Sequence, residues 1–573
     1  MYRGDIVMHL IRENRLVVRI GYIAFSISCL IVPYQPASAD LALLQKPLKT
    51  KQSAPNQSKQ PHCNVTLRLV EIDQSGNKKV VPGLLRIRDA KGLPIPIPNL
   101  LNRGKGLKTS PKSEQRGIHS WSVVPQEVQI QLPQTKVTLQ TISGLETELT
   151  QKTIDFTNKT SHDITLELKP FSRLSPNYKT ANTHLHIMKL NRVECNEYLK
   201  QIPSADRLDL VFISHLERAI ADKEYITNHY SKTDLKSLSR ESGILFGWGE
   251  EHRHNSSEYE EGYGHVMLLN IQKLIQPVSI GPGIMKQGTD GIPLARGINT
   301  ALKDQATVLW CHNAWGMEST PNIVQGNVHA LNIFDGGTRS SYEDSFYPYL
   351  NAGYKIPFST GTDWFQYDFS RVYAAMNPPF TTATWLEHLK AGRTFITNGP
   401  LLDLKINEKT IGDQLELSKD KNQITIRATG KGRLDFERME LIHNGKVIKT
   451  QQTISVGNHF EARFEFQLKI DQPGWIALRT PSPSVPKDPK RQQMTPLNEY
   501  GRELFSHTSP IYLEWEGKTQ FNQNQAQAFL AEMKQNRDKI VKRFHFADEH
   551  ERAHVLDVYS DGIEELTRQI KAQ

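Results

Sequence analysis

The sequence predicts an α/β fold: a mostly parallel sheet or barrel, flanked on both sides by β-sandwich domains and followed by a short helical tail. Three observations carry this. Between residues 178 and 400, short and strongly apolar segments alternate with amphipathic ones, the pattern of strands covered on both faces and joined by helices. On either side, residues 63–177 and 401–516 break into short alternating segments separated by Gly, Asn, Pro and Ser, as in antiparallel sandwiches. Residues 517–573 carry helical periodicity instead.

Taken in order, residues 1–39 read as an export signal. Arg12, Arg15 and Arg19 precede the apolar run Ile20–Val32, and Ala37 and Ala39 form a small-residue cleavage site before Asp40. The run is shorter than the ~20 residues of a spanning helix, so no stable membrane span is expected once the signal is removed; an uncleaved anchor is the alternative. The protein is therefore expected outside the cytoplasm, periplasmic or secreted. Residues 40–62, polar and rich in Pro, Gln and Ser, read as a flexible linker. In the first sandwich "CNVTLRLVEI", "GLLRIRDAKG", "EVQIQL", "KVTLQTISG" and "DITLELKP" are the strands. In the second they are "LLDLKINEK", "NQITIRATG", "RMELIHNGKVIKT", "HFEARFEFQLKI" and "GWIALRT", with a Pro-rich loop at 481–496.

Composition narrows the function classes. The 573 residues carry a net charge of +9, with basic residues interspersed among acidic ones. That is no nucleic-acid stripe, and no nucleic-acid partner is expected. Beyond Cys29 in the signal, Cys63, Cys195 and Cys311 are far apart and odd in number, which excludes a disulfide scaffold despite the export signal.

The central segment carries the chemistry. "THLHIM" places His184 and His186 one residue apart, so in a strand both imidazoles point to one face. "LDLVFISH" ends in His215, "GILFGWGEE" in Glu250 and Glu251, "TVLWCHN" in His312 and "IPFSTGTD" in Asp363, while "GYGHVMLLN" brings His265. In a β/α barrel the strand ends share one face, where groups distant in sequence converge. Imidazole and carboxylate are the ligands that Zn, Mn and Fe accept. His252 and His254, beside Glu251 in "EEHRHN", are candidates for contacting a substrate anion, a solvated loop being the alternative. Arg371 is a third substrate candidate, with a structural ion pair as the competing reading. Trp248, Trp310, Trp315 and Trp364 flank these positions and read mainly as packing.

"NTHLHI", "ISH", "GEE", "GYGH", "LWCH" and "STGTD" resemble the motif series of the PHP (polymerase and histidinol phosphatase) superfamily of metal-dependent hydrolases. "NAGYKIPFSTGTDWF", "SRVYA" and "LKAGRTFITNGPLL" are most similar to its CehA/McbA-type branch. The resemblance covers roughly residues 178–402. It implies a distorted seven-stranded β/α barrel with a metal cluster at its mouth, cleaving an ester, phosphoester or amide-type bond. It further implies that His184, His186 and Asp363 hold one metal, that His265 and His312 hold a second, and that Glu251 bridges them, Glu250 being the competing assignment. Two departures stand out. No histidine follows in "KLNRVE", and Phe365 stands where the family has a histidine. In the family both serve a third metal together with the residue matching His215. One or two divalent ions are therefore expected, Zn or Mn first and Fe next, with His215 free to act as a general acid or to contact the substrate; Ser214 replaces the Asp usual before it. The expected function is an exported hydrolase that uses a metal-activated water to cleave an ester, phosphoester or amide/carbamate-type bond. The alternative is an exported binding or adaptor protein whose barrel has lost catalysis.

Overall fold

The computed structural model describes residues 61–573 except 73–75, 109–116, 173, 175–176, 220–224, 258–261 and 486–494. The expected signal, nearly all of the linker and most of the 481–496 loop lie outside the described residues. The described chain has a mixed α/β architecture with many strands in several sheets.

The first sheets form because their strands alternate. His62–Ile72 turns Cys63, Val65, Leu67 and Leu69 inward. It pairs antiparallel with Val128–Pro133 and parallel with Ser161–Leu168. A second four-stranded sheet contains Gly83–Arg88 and Lys136–Ile142 and supplies Leu85, Ile87, Val137 and Leu139 to the same apolar cluster. Burying one face of each sheet against the other is the sandwich solution.

The central sheet is built outward from a parallel group. Tyr178–His186, Leu210–His215 and Leu245–His254 are parallel neighbours. Gly264–Leu269 then pairs antiparallel with Leu245–His254 and with Thr307–Trp310. Thr307–Trp310, Ala330–Asn332 and Phe358–Ser359 continue in parallel. On the other side of Tyr178–His186 lie Arg371–Ala375 and Thr394–Thr397, both antiparallel to their neighbours. The sheet is thus more mixed than the apolar βα alternation suggests. The reversal at Gly264 has a plain cause: residues 255–263 are too few for a parallel crossover, which needs a dozen or more.

Beyond residue 400 the strands divide. Leu401–Ile406, Gln423–Gly432 and His459–Lys469 belong to a separate five-stranded sheet. Ser506–Thr508 instead pairs with Thr394–Thr397 and so extends the central sheet. The tail folds as two helices, Gln523–Arg543 and Glu549–Lys571, each started by a side-chain cap, Asn522 or Asp548. Phe529, Met533, Val555 and Tyr559 join the apolar cluster of the central sheet, so the tail docks on it. Among the described residues no helix is long and apolar enough to cross a membrane. Cys63, Cys195 and Cys311 are free and buried.

One helix start depends on a residue from elsewhere. Leu294–Lys303 follows Pro293, whose side chain cannot cap. The Glu318 carboxylate accepts the Leu294 and Ala295 N–H groups instead, at 3.2 and 2.9 Å. Burial pushes the Glu318 carboxyl up to about 8, against the two backbone donors that pull it down. A carboxyl raised in the folded state favours folding below its unfolded value, and that contribution disappears as pH climbs through the folded value. Thermal melts from about pH 5 to about pH 8 are therefore expected to show the wild type losing stability relative to Glu318→Gln, which keeps an acceptor without the charge. Parallel pH profiles would remove Glu318 from this role.

Candidate metal centre

Strand geometry brings the histidines together. His184 and His186 close the Tyr178–His186 strand, both fully buried, with their Nε2 atoms 3.0 Å apart. In Leu245–His254 the alternation separates two neighbouring acids. Glu251 faces the histidines, while Glu250 faces away, 3.1 Å from His252 Nδ1 and accepting the Ile275 N–H at 2.9 Å. His312 lies just past Thr307–Trp310, and Asp363 pairs with Leu185. His265 opens its strand rather than ending it. Because that strand runs in reverse, opposite Arg253, His265 still arrives at the same end of the sheet.

The ligand atoms fall into two groups, each within 4.8 Å: His184, His186, Glu251 and Asp363, and Glu251, His265 and His312. Glu251 belongs to both. Its Oε2 lies 3.1 Å from His186 Nε2, and its Oε1 lies 2.9 Å from His265 Nδ1 and 3.6 Å from His312 Nε2. Asp363 Oδ1 is 3.5 Å from His184 Nε2. Both groups are buried.

The outer nitrogens fix which way each imidazole points. His184 Nδ1 and His312 Nδ1 are bound to Asp335 at 2.8 and 3.1 Å, His186 Nδ1 to the Ser214 carbonyl at 3.0 Å, and His265 Nε2 to Asn255 Oδ1 at 3.1 Å. Each ring so donates outward and turns its other nitrogen inward, the arrangement that suits a ligating histidine. The Ser214 contact uses the backbone, so it does not depend on the side chain at that position. Among the described residues, buried Asp363 Oδ1 and His265 Nδ1 have no hydrogen-bond partner, His265 Nδ1 instead facing Glu251 Oε1.

The electrostatics agree. Burial alone would lower the His312 imidazole, yet Asp335, with help from Glu251 and Asp363, pushes it up to about 10. Burial would raise the Glu251 carboxyl, but Arg253 and the facing histidines hold it well below the usual carboxylate range. Burial draws His265 down to about 3. Three carboxylates with inward-turned imidazoles demand positive charge, and a divalent cation meets that demand in exchange for protons. The donor set fits such an ion in either group. A third group of His184, Cys311 and Asp335 also lies within 4.8 Å, but burial drives the Cys311 thiol far up, and both Asp335 oxygens already accept from histidines.

Two of the site residues also have unusual backbone conformations. His312 and Asp363 adopt left-handed φ angles of 53° and 59°, uncommon for residues with a side chain and typical of functional positions. Gly361 is required by proximity, since a Cβ there would meet the His184 Cβ at 2.5 Å.

A cleft of about 320 Å³ opens onto Glu251, His265, His312 and Asp363. Arg218, Arg253, Lys286 and Arg339 also line it, with Trp315 and Trp364. Arg339 sits 4.6 Å above the Trp315 ring and Arg218 5.5 Å above Trp364.

His184 and His186 lie buried behind the cleft wall, and four other expected side chains join neither ligand group. His252 is buried on the Glu250 side of its strand, so neither a substrate contact nor a solvated loop describes it. His254 stacks on Tyr263 at 3.9 Å with its Nε2 3.1 Å from Asp290. The strand simply continues through these polar residues, and alternation sends them away from Glu251. Arg371 is buried, donating to the Phe369 and Asp206 carbonyls, which is a structural role. His215 is partly exposed beside Glu217 at 3.8 Å and does not line the cleft. Phe365 is buried against Tyr198, ring centroids 5.9 Å apart. Asp335, Arg253 and Asn255 were not singled out by the sequence. Only Asp335 carried a signal, as the acid ending "HALNIFD".

The chain matches no known family model, no curated protein and no solved structure.

Proposed function

We propose that the protein is an exported metal-dependent hydrolase that cleaves an ester, phosphoester or amide-type bond in a small anionic substrate. One observation carries the proposal: Glu251 stands between two buried histidine groups, one oxygen toward each, at the base of an open cleft. His184, His186, Asp363 and Glu251 would hold one divalent ion, and His265, His312 and Glu251 a second. Such ions supply Lewis acidity and lower the pKa of the water they bind. Nitrogen and oxygen donors suit Zn, Mn or Fe.

The chain's own residues supply the rest. Arg253, lying 3.6 Å from Glu251 and itself buried, reaches the substrate end of the centre. With Arg218, Lys286 and Arg339 around the cleft, it would bind and orient a negatively charged group. Trp315 and Trp364 would wall the reacting bond from solvent. The finer fold reading, a distorted seven-stranded PHP-type barrel with the centre at its mouth, belongs to the same proposal. It is supported by the convergence of "THLHI", "GEE", "GYGH", "LWCH" and "STGTD" on one end of the central sheet. Export rests on the character of residues 1–39.

The test is elemental analysis of the purified full-length chain grown with Zn and Mn, with hydrolysis of p-nitrophenyl phosphate and a carboxylic ester read on the same samples. One or two metals per chain are expected, with turnover lost on chelation and restored by readdition. Absence of stoichiometric metal would sink the catalytic reading and leave the binding or adaptor one.

A further inference from the structure

We propose that Asp335 is a positioning residue shared by the two metal groups, coupling the ion affinity of one to that of the other. The inference rests on the metal reading above and goes beyond it, because Asp335 touches neither group's inward face.

The geometry is specific. Asp335 Oδ2 accepts from His184 Nδ1 at 2.8 Å and from the Asn332 amide at 3.2 Å. Its Oδ1 accepts from His312 Nδ1 at 3.1 Å and from the His312 backbone N–H at 2.8 Å. The carboxylate is fully buried and all its lone-pair directions are in use. Of the two groups that share Glu251, His184 belongs to the first and not the second, and His312 to the second and not the first. One side chain therefore sets the tautomer and the ring orientation of a ligand on each side. Glu251 links the groups from within, and Asp335 links them from behind.

Its chain position explains how it can do so. Asp335 follows Ala330–Asn332, whose parallel neighbour Thr307–Trp310 delivers His312. Asn332 and Thr183 share a hydrogen bond at 3.2 Å, tying this strand end to the His184 strand. Rotation of the carboxylate to suit one histidine would break its bond to the other. An ion that fixes His184 fixes Asp335, and through it His312.

The consequence is a joint loss. Groups that orient a metal-bound histidine commonly contribute about 10–100-fold in metal affinity. Full-length chain stripped with chelator would be titrated with Mn²⁺ alone by calorimetry. Asp335→Asn, which offers one acceptor where two are needed, is expected to weaken both binding events by about 10–100-fold. His265→Ala is expected to lose one event and keep the other. Weakening confined to one event in Asp335→Asn, or no weakening, would overturn the coupling. Should wild type bind no Mn²⁺ at all, the metal reading itself fails, a different result. Circular dichroism melts of the stripped proteins come first. If Asp335→Asn does not melt cooperatively, Asn332→Ala decides the matter, because it keeps the carboxylate but frees one oxygen. It should weaken both events together by a few-fold, and an effect on one alone or on neither would overturn the inference.

Discussion

Glu251→Gln is expected to reduce turnover by about a thousandfold or more and to bring metal content below one ion per chain; a thousandfold corresponds to about 4 kcal/mol. The reason lies in what the carboxylate does at once. It places one oxygen 3.1 Å from His186 Nε2 and the other 2.9 Å from His265 Nδ1, so it is the side chain common to both groups and would ligate an ion in either. It also supplies negative charge beside Asp363 and opposite Arg253 at 3.6 Å. The glutamine amide fills nearly the same volume, but one of its ends is a donor. Turned toward either histidine group, that NH₂ repels the ion that group would hold. Melts of the chelated wild type and variant separate loss of ions from loss of fold. Metal content and turnover near wild type in a folded Glu251→Gln would remove the bridging role and with it the two-group reading.

The second large effect concerns a residue remote in sequence. Arg103→Met is expected to destabilise the fold by about 3–5 kcal/mol, the usual result of stranding one partner of a buried ion pair. Arg103 and Asp206 are both fully buried, with Nη2 and Oδ2 2.6 Å apart. Arg103 also donates to the Gln366 carbonyl, and the Gln366 amide donates to Asp206. Without the guanidinium, the Asp206 carboxylate keeps its burial and loses its countercharge. A cycle with Asp206→Asn tests this: the double variant should be markedly more stable than the sum of the single losses predicts. Additive losses in urea or thermal unfolding would show that the pair contributes nothing as a pair. Since Gln366 is three residues past Asp363, the single variant should also weaken ion binding in the group that contains Asp363.

How far the site could be read in advance depended on which physical rule governed each residue. His184 and His186 were legible because strand period two needs no partner to be known. Choosing between Glu250 and Glu251 required the phase of their strand relative to the sheet, which adjacent acids cannot supply. His252 and His254 resembled a loop because the apolar run "LFGWG" stops while the strand does not. A strand that presents Glu251 and Arg253 on one side and buried histidine–carboxylate contacts on the other looks polar throughout. His265 begins its apolar run rather than ending it, and only the reversed direction of its strand carries it to the Glu251 end. Asp335 was passed over because its partners are imidazoles more than 20 residues away, in a connection only folding reveals. The sheet boundary near residue 400 was blurred likewise: "FSHTS" has nothing in its composition to say that it pairs with "TFIT".

Phe365 and Gly106 bear on how this protein could be recombined. The Phe365 ring lies so close to the Gly106 backbone that a Cβ there would sit 2.2 Å from it, two residues beyond Asp363. The N-terminal segment is therefore not an interchangeable module appended to a self-sufficient central domain. It forms part of the mould in which the segment carrying Asp363 is cast. A chimera that exchanged the first sandwich for another of the same shape would inherit an intact set of ligands and a displaced Asp363, unless the newcomer also brought an arginine to meet Asp206 and a glycine to admit Phe365. Shuffling of such domains is constrained here by a few atoms of contact rather than by the fold of either part.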